Sequence, residues 1–152
     1  SILIYSLIGI SVTLVGAGIY TDKKGFVDVM EATTIPQGIE KDLKNQDWLR
    51  ANDTLAYMYY FGFSLKDGFV YLADSSIVML YEELIYEIEY SAITSVTLEE
   101  EGSYFSDSIF LIETALEDSW MRFPLSTSLH QKSGRGDLAF IAELEKRIAS
   151  TN

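Results

Sequence analysis

Residues 71–98 read YLADSSIVMLYEELIYEIEYSAITSVTL, and their spacing decides the fold class. From Leu84 to Leu98, Tyr86, Ile88, Tyr90, Val96 and Leu98 share one parity, while Glu87, Glu89, Ser95 and Thr97 share the other. Successive strand side chains point to opposite faces, so this spacing predicts strands with one buried and one wet face. Ser91-Ala92-Ile93 marks a bend between two of them. Just upstream, Phe69–Ala73 and Ile77–Tyr81 read as two further strands joined by Asp74-Ser75-Ser76.

On the N-terminal side, Thr54–Ser64 (TLAYMYYFGFS) is aromatic-rich and suits a sheet. Tyr57, Tyr59, Phe61 and Phe63 fall on one face of it, and Met58 and Tyr60 on the other. Aromatics on both faces mean burial on both sides or an exposed patch for a partner. Lys66-Asp67-Gly68 is a turn signal, because Gly supplies positive φ. On the C-terminal side, Ser108–Thr114 and Ser119–Phe123 predict a hairpin across Leu116-Glu117-Asp118, with Pro124 ending the pairing. The polar stretch 126–136 is a loop. Asp137 is placed to cap a final helix, whose apolar stripe is Leu138, Ile141, Leu144 and Ile148. Lys146 and Arg147 are expected in its last turn, at the negative end of the helix dipole.

The order of elements and two local phrases resemble bacterial pleckstrin-homology-like domains of the PH/GRAM type. Tyr71-Leu72-Ala73-Asp74-Ser75-Ser76-Ile77-Val78-Met79-Leu80-Tyr81 is similar to that family's strand, T-D-x-R, apolar-strand segment. Tyr86–Val96 is similar to its I-P-Y-x-D-I-x-S-V segment. Ser76 stands where the family usually has a basic residue, and Ala92 where it usually has an acid. The resemblance implies a mainly β fold, a bent β-barrel capped by a C-terminal α-helix, over residues 48–152. It also implies a module that binds lipid headgroups, peptides or proteins.

The N-terminus reads differently. Residues 1–20, SILIYSLIGISVTLVGAGIY, carry no charge and no proline. A helix of that length rises about 30 Å, the hydrocarbon thickness of a bilayer. The expectation is one transmembrane helix within residues 1–25, preferred over a signal peptide, which needs a basic start, and over a pair of buried strands. Gly9, Thr13 and Ala17, bordered by Gly16, form a stripe of small residues where another membrane helix can pack closely. Lys23 and Lys24 follow the span, so the positive-inside rule puts the N-terminus outside and the rest in the cytoplasm, at the inner membrane of a cell. Residues 26–47 read as a connector. Within it, Phe26–Met30 continues the membrane helix or lies at the interface. Pro36-Gln37-Gly38 breaks the chain, and Ile39–Lys44 is a short helix.

Composition narrows the function. Of 152 residues, 11 are Lys or Arg and 23 are Asp or Glu, a formal charge of −12. That balance opposes nucleic-acid binding, which needs cations to replace phosphate counterions. No Lys or Arg occurs between Lys66 and Arg122, so a phosphoinositide or acidic lipid would be repelled there. There is no Cys and a single His, His130. Thiolate zinc sites, iron–sulfur clusters and multi-histidine metal sites are thereby excluded.

Glu99-Glu100-Glu101 with Asp107 lacks the spacing of a calcium loop, and Glu87 with Glu89 reads as a solvent face rather than a glycosidase pair. Arg135-Gly136-Asp137 serves helix capping. The expectation is therefore a chain without catalytic residues, metal or cofactor: an accessory or scaffold subunit of a larger membrane complex. Its partners would be other membrane protein subunits, and the lipid bilayer through residues 1–20. The candidate partner surface comprises Glu99, Glu100, Glu101, Tyr57 and Tyr59. The alternative is a membrane-tethered lipid- or ligand-sensing domain.

Overall fold

The computed structural model describes residues 28–151. The spanning segment expected from the sequence, with Gly9, Thr13, Gly16, Ala17, Lys23 and Lys24, lies outside the described residues. Among the described residues no helix is long and apolar enough to cross a membrane.

Among the described residues eight strands and two α-helices follow one another: β1 (Met30–Glu31), α1 (Gln37–Asn45), β2 (Tyr57–Tyr60), β3 (Phe69–Leu72), β4 (Ser76–Tyr81), β5 (Leu84–Glu89), β6 (Ile93–Glu100), β7 (Ser108–Thr114), β8 (Trp120–Leu125) and α2 (Gly136–Thr151). β1 to β5 form an antiparallel meander in sequence order, and β6 to β8 form a second one. The chain passes between the sheets through a 3-10 turn, Tyr90–Ala92, at the bend expected from Ser91-Ala92-Ile93.

The two sheets and α2 enclose the main core. Tyr59, Val70, Leu72, Ile77, Met79, Tyr86 and Ile88 meet Phe110, Ile112, Met121 and Phe123 across it, and Phe140, Ile141 and Leu144 close it from α2. Phe123 lies between Phe110 and Phe140, with ring centres 6.2 and 6.0 Å away. Arg147 ties α2 to the first sheet by donating to the Ala73 carbonyl at 2.8 Å, which also accepts from the Tyr90 hydroxyl at 2.6 Å.

The start of α2 is fixed just as closely. Gly136 donates to the Thr127 carbonyl, and a Cβ there would lie 2.2 Å from the Ser128 oxygen, so only glycine fits. Asp137 is 1% exposed. It lies inside the first turn rather than ahead of it as the sequence suggested, and accepts from the Leu138 N–H, from Nε and Nη2 of Arg135 and from the Ser108 hydroxyl at 2.6 Å.

A second core lies on the other face of the first sheet. Met58, Phe69, Tyr71, Val78, Leu80 and Ile85 point away from the main core and are buried against Leu43 of α1, Leu49 and Leu55, with Trp48 beside them. Residues 29–45, expected as part of a connector, thus belong to the folded body. Met30 pairs with Met58 in β1, and Val29 bridges to Leu129, instead of continuing a membrane helix.

That outer layer corrects further expectations. β5 is buried on both faces from Ile85 to Ile88, so Glu87 is 6% exposed rather than wet, and of the two acids Glu89 alone meets solvent. Pro124 does not end the pairing: it sits in β8 opposite Ile109, and the strand continues to Leu125. On α2, Phe140 replaces Leu138 in the buried stripe, because Leu138 is 50% exposed. The helix extends to Thr151, which leaves Lys146 and Arg147 ahead of the last turn.

Candidate docking surface

Glu87 is the one carboxylate that the fold draws fully into the first sheet's outer face. The loop after α1 brings Arg50 across it, and the guanidinium donates to both carboxylate oxygens, at 2.7 and 2.8 Å. The Ser76 hydroxyl donates to the same group. Those bonds hold the Arg50 guanidinium above its ordinary pKa against the opposing effect of burial. The pair fastens the 46–55 segment to β5. Nearby, burial and the like charge of Asp74 raise the Asp53 carboxyl.

Basic side chains are similarly committed. Lys44 faces Glu40, Arg122 faces Glu99, Lys132 faces Glu31, Arg135 faces Asp137 and Arg147 faces Glu143. Lys41, Lys66 and Lys146 are exposed on three separate elements, so they make no joint cationic site. The exposed acids are more numerous: Glu82 and Glu83 in the β4–β5 turn, Glu89, Glu100, Glu101, and Glu117 with Asp118 in the β7–β8 turn. The sign of the accessible surface is therefore set by carboxylates. Among the described residues no group of His, Cys, Asp and Glu is arranged to hold a metal ion.

The structure separates the five residues expected to form a partner surface. Glu99 is held by Arg122, whose Nε and Nη2 donate at 2.5 and 3.1 Å, while Arg122 also lies 5.4 Å from the Trp120 ring centre. Glu100 and Glu101 are exposed. Tyr59 is a core residue, 3% exposed, donating to Asp107 at 2.5 Å. Tyr57 is half-buried with its ring 6.1 Å from Phe140. Tyr59 thus contributes packing only, Tyr57 packs with part of its surface open, and the acidic run is exposed.

Two hollows border β6. One, about 430 Å³, lies at the β5–β6 corner and is lined by Glu89, Ala92, Thr94, Leu116 and Ser119 among others. The other, about 210 Å³, lies between β6 and α2 and is lined by Ser95, Val96, Glu145, Ile148 and Ala149 with Ile93 and Thr94. The sequence marked Leu116-Glu117-Asp118 only as a turn, and the first hollow was not legible from it. The second was not legible, because it depends on how far α2 stands from β6.

No protein-family model and no curated protein sequence matches the chain. Solved structures do. A DUF1696-family protein with a pleckstrin-homology domain from Shewanella loihica superposes with a TM-score of 0.50 at 13% identity, covering 82% of this chain and 97% of that one. A pleckstrin homology domain from Shewanella amazonensis superposes with a TM-score of 0.50 at 13% identity, covering 73% and 86%. The fold is accordingly PH-like: mainly β, two sheets, and a C-terminal helix.

Proposed function

We propose that the chain is a non-catalytic docking subunit of a membrane protein complex, anchored by residues 1–20 and presenting an acidic PH-like domain to a basic partner. The observation that carries this reading is the charge distribution. Six cations face carboxylates within the described fold, while acids at the β4–β5 turn, the β5–β6 corner and the β7–β8 turn remain open to solvent. Such a surface attracts basic protein segments and repels anionic headgroups. The anchor supports the reading from sequence: an uncharged run over residues 1–20 followed by Asp22, Lys23 and Lys24, with small residues at Gly9, Thr13, Gly16 and Ala17 for helix packing.

Gentle detergent extraction of the full chain tests this reading. Co-purification with an integral membrane protein, weakened by Gly9→Leu or Ala17→Leu, is the expected result. Recovery as a lone monomer overturns it. Binding of the full chain to anionic rather than zwitterionic lipid supports lipid sensing instead.

A further inference from the structure

We propose that the open hollow between α1 and the β2–β3 loop binds a small zwitterion, a quaternary ammonium joined to an anion, an inference that stands independently of the docking function. The hollow holds about 490 Å³ and lies on the outer layer, away from the core between the two sheets. One wall is the end of α1 and the turn after it, with Asp42 and Trp48. The other is the end of β2 and the loop that follows, with Tyr60, Phe63 and Lys66. Three aromatic residues and a carboxylate around one hollow favour a cation, because the face of an aromatic ring carries negative potential. A quaternary ammonium suits such rings best, since its methyl groups pack on them while its charge is attracted. Asp42 supplies a full opposite charge and lies close enough to act on Tyr60. Burial first, and then Asp42, hold the Tyr60 phenol up at about 12, so it stays a neutral ring with an O–H to donate. Lys66, exposed at the same hollow, argues against a bare cation and for a ligand that brings its own anion.

The walls are fixed before anything binds. Trp48 packs its ring 5.8 Å from Phe69, its N–H donates to the Leu43 carbonyl, and its own carbonyl accepts from Tyr71. Tyr60 pairs with Phe69 in the sheet. Both Trp48 and Tyr60 are half-buried against the second core, which leaves part of each open to the hollow. Phe63 is 64% exposed, yet its backbone is tied down. Its N–H and that of Ser64 donate to the Asp67 carboxylate at 2.8 and 3.0 Å. Gly62 closes the loop tightly, since a Cβ there would lie 2.5 Å from the Cβ of Asp67. Walls held in this way lose little freedom when a ligand enters, so less of the contact energy goes into ordering them.

Fluorescence of the full chain in maltoside detergent reads the site through Trp48 once the other tryptophan is removed by Trp120→Phe, with glycine betaine as the probe. A saturable change is the expected result, weaker by about tenfold or more with glycine, which has the same anion on a primary ammonium. Phe63→Ala and Asp42→Asn should each weaken glycine betaine by about fivefold or more with unchanged circular dichroism. Lys66→Gln should weaken glycine betaine and leave choline, which has no anion, unchanged. No saturable change, equal binding of glycine, or full binding after Phe63→Ala overturns the proposal. Nanodiscs distinguish the source of the ligand. A Trp48 shift already present in phosphatidylcholine and absent in phosphatidylglycerol assigns the quaternary ammonium to a lipid headgroup. A shift that appears in both only on adding glycine betaine assigns it to a soluble compound.

Discussion

The first sheet carries a core on each face, and the two were built by different means. Toward the second sheet, Val70, Leu72, Ile77, Met79, Tyr86 and Ile88 are covered by elements of the PH-like fold itself. On the opposite face, Met58, Phe69, Tyr71, Val78, Leu80 and Ile85 are covered by α1 and the 48–55 segment, which lie ahead of β2. β3 is consequently buried at every position, and β4 at five of six. A sheet buried on both faces loses the alternation of apolar and polar residues that marks a one-sided one. The outer layer rests on Leu43, Leu49 and Leu55, on the Trp48 carbonyl accepting from Tyr71 at 2.5 Å, on the Thr54–Asp74 bond and on the Arg50–Glu87 pair, and it lacks a second sheet. The inner core should therefore set the stability of the whole, and the outer layer should be the first part to come away.

The largest effect is expected from Phe140→Ala. Its ring is fully buried against Phe123 and Tyr57, and its loss should cost about 4 kcal/mol, read as a shift of the urea midpoint seen equally by all probes. Leu43→Ala should cost about 3 kcal/mol but behave differently. Hydrogen exchange should quicken first in α1 and in 46–55, ahead of β3 and β7, as expected of a low-stability unit. Exchange that quickens uniformly would make the two cores one cooperative body and end the contrast.

How much of this was legible follows from the same contrast. Strands after Phe69, the bend at Ser91-Ala92 and the closing helix were readable, because period-two and helical spacing are local. The outer cover was not. Ile39–Lys44 was recognisable as a helix, but nothing local says that it lies on a sheet. Tyr57–Tyr60 did signal burial on both faces, and that signal was the available trace of a second layer. Glu87 looked wet by parity, and its neutralisation needs Arg50, 37 positions away. The acidic run Glu99-Glu100-Glu101 was visible, whereas the Arg122 that occupies Glu99 is brought in by the β7 ladder between β6 and β8. Tyr59 shares a parity with exposed Phe63, and only the packing of the two sheets decides that it is inside.

Arg50→Ala tests the fastening more gently than a core truncation. It strips Glu87 of both guanidinium bonds while Ser76 remains as a donor. Because Arg50 is itself 43% exposed, the expected loss is about 2 kcal/mol, below that of a fully buried pair. Trp48 should report it. Its ring packs 5.8 Å from Phe69 in the outer layer, while Trp120 lies on β8. In a Trp120→Phe background, fluorescence should shift at a lower urea concentration than circular dichroism does.

The smallest effect is a dependence on alkaline pH, and it too distinguishes the layers. Burial, with a contribution from nearby Asp42, pushes the Tyr60 phenol up to about 12. Burial also raises Tyr71 on the outer side and Tyr90 on the inner. In the unfolded chain each phenol ionises near pH 10, as an ordinary tyrosine does. Below that pH both states are protonated and stability is unaffected. Above it the unfolded chain sheds protons that the fold retains, so stability falls as the pH rises from about 10 toward about 12. Burial raises Tyr57 on the inner side as well, so each layer holds two such phenols, and the Trp48 signal reads the two on the outer side, Tyr60 and Tyr71. Tyr60→Phe removes one of the outer phenols and should make the early decline shallower. An unchanged profile in that variant would remove Tyr60 from the alkaline response and leave it to Tyr57, Tyr71 and Tyr90.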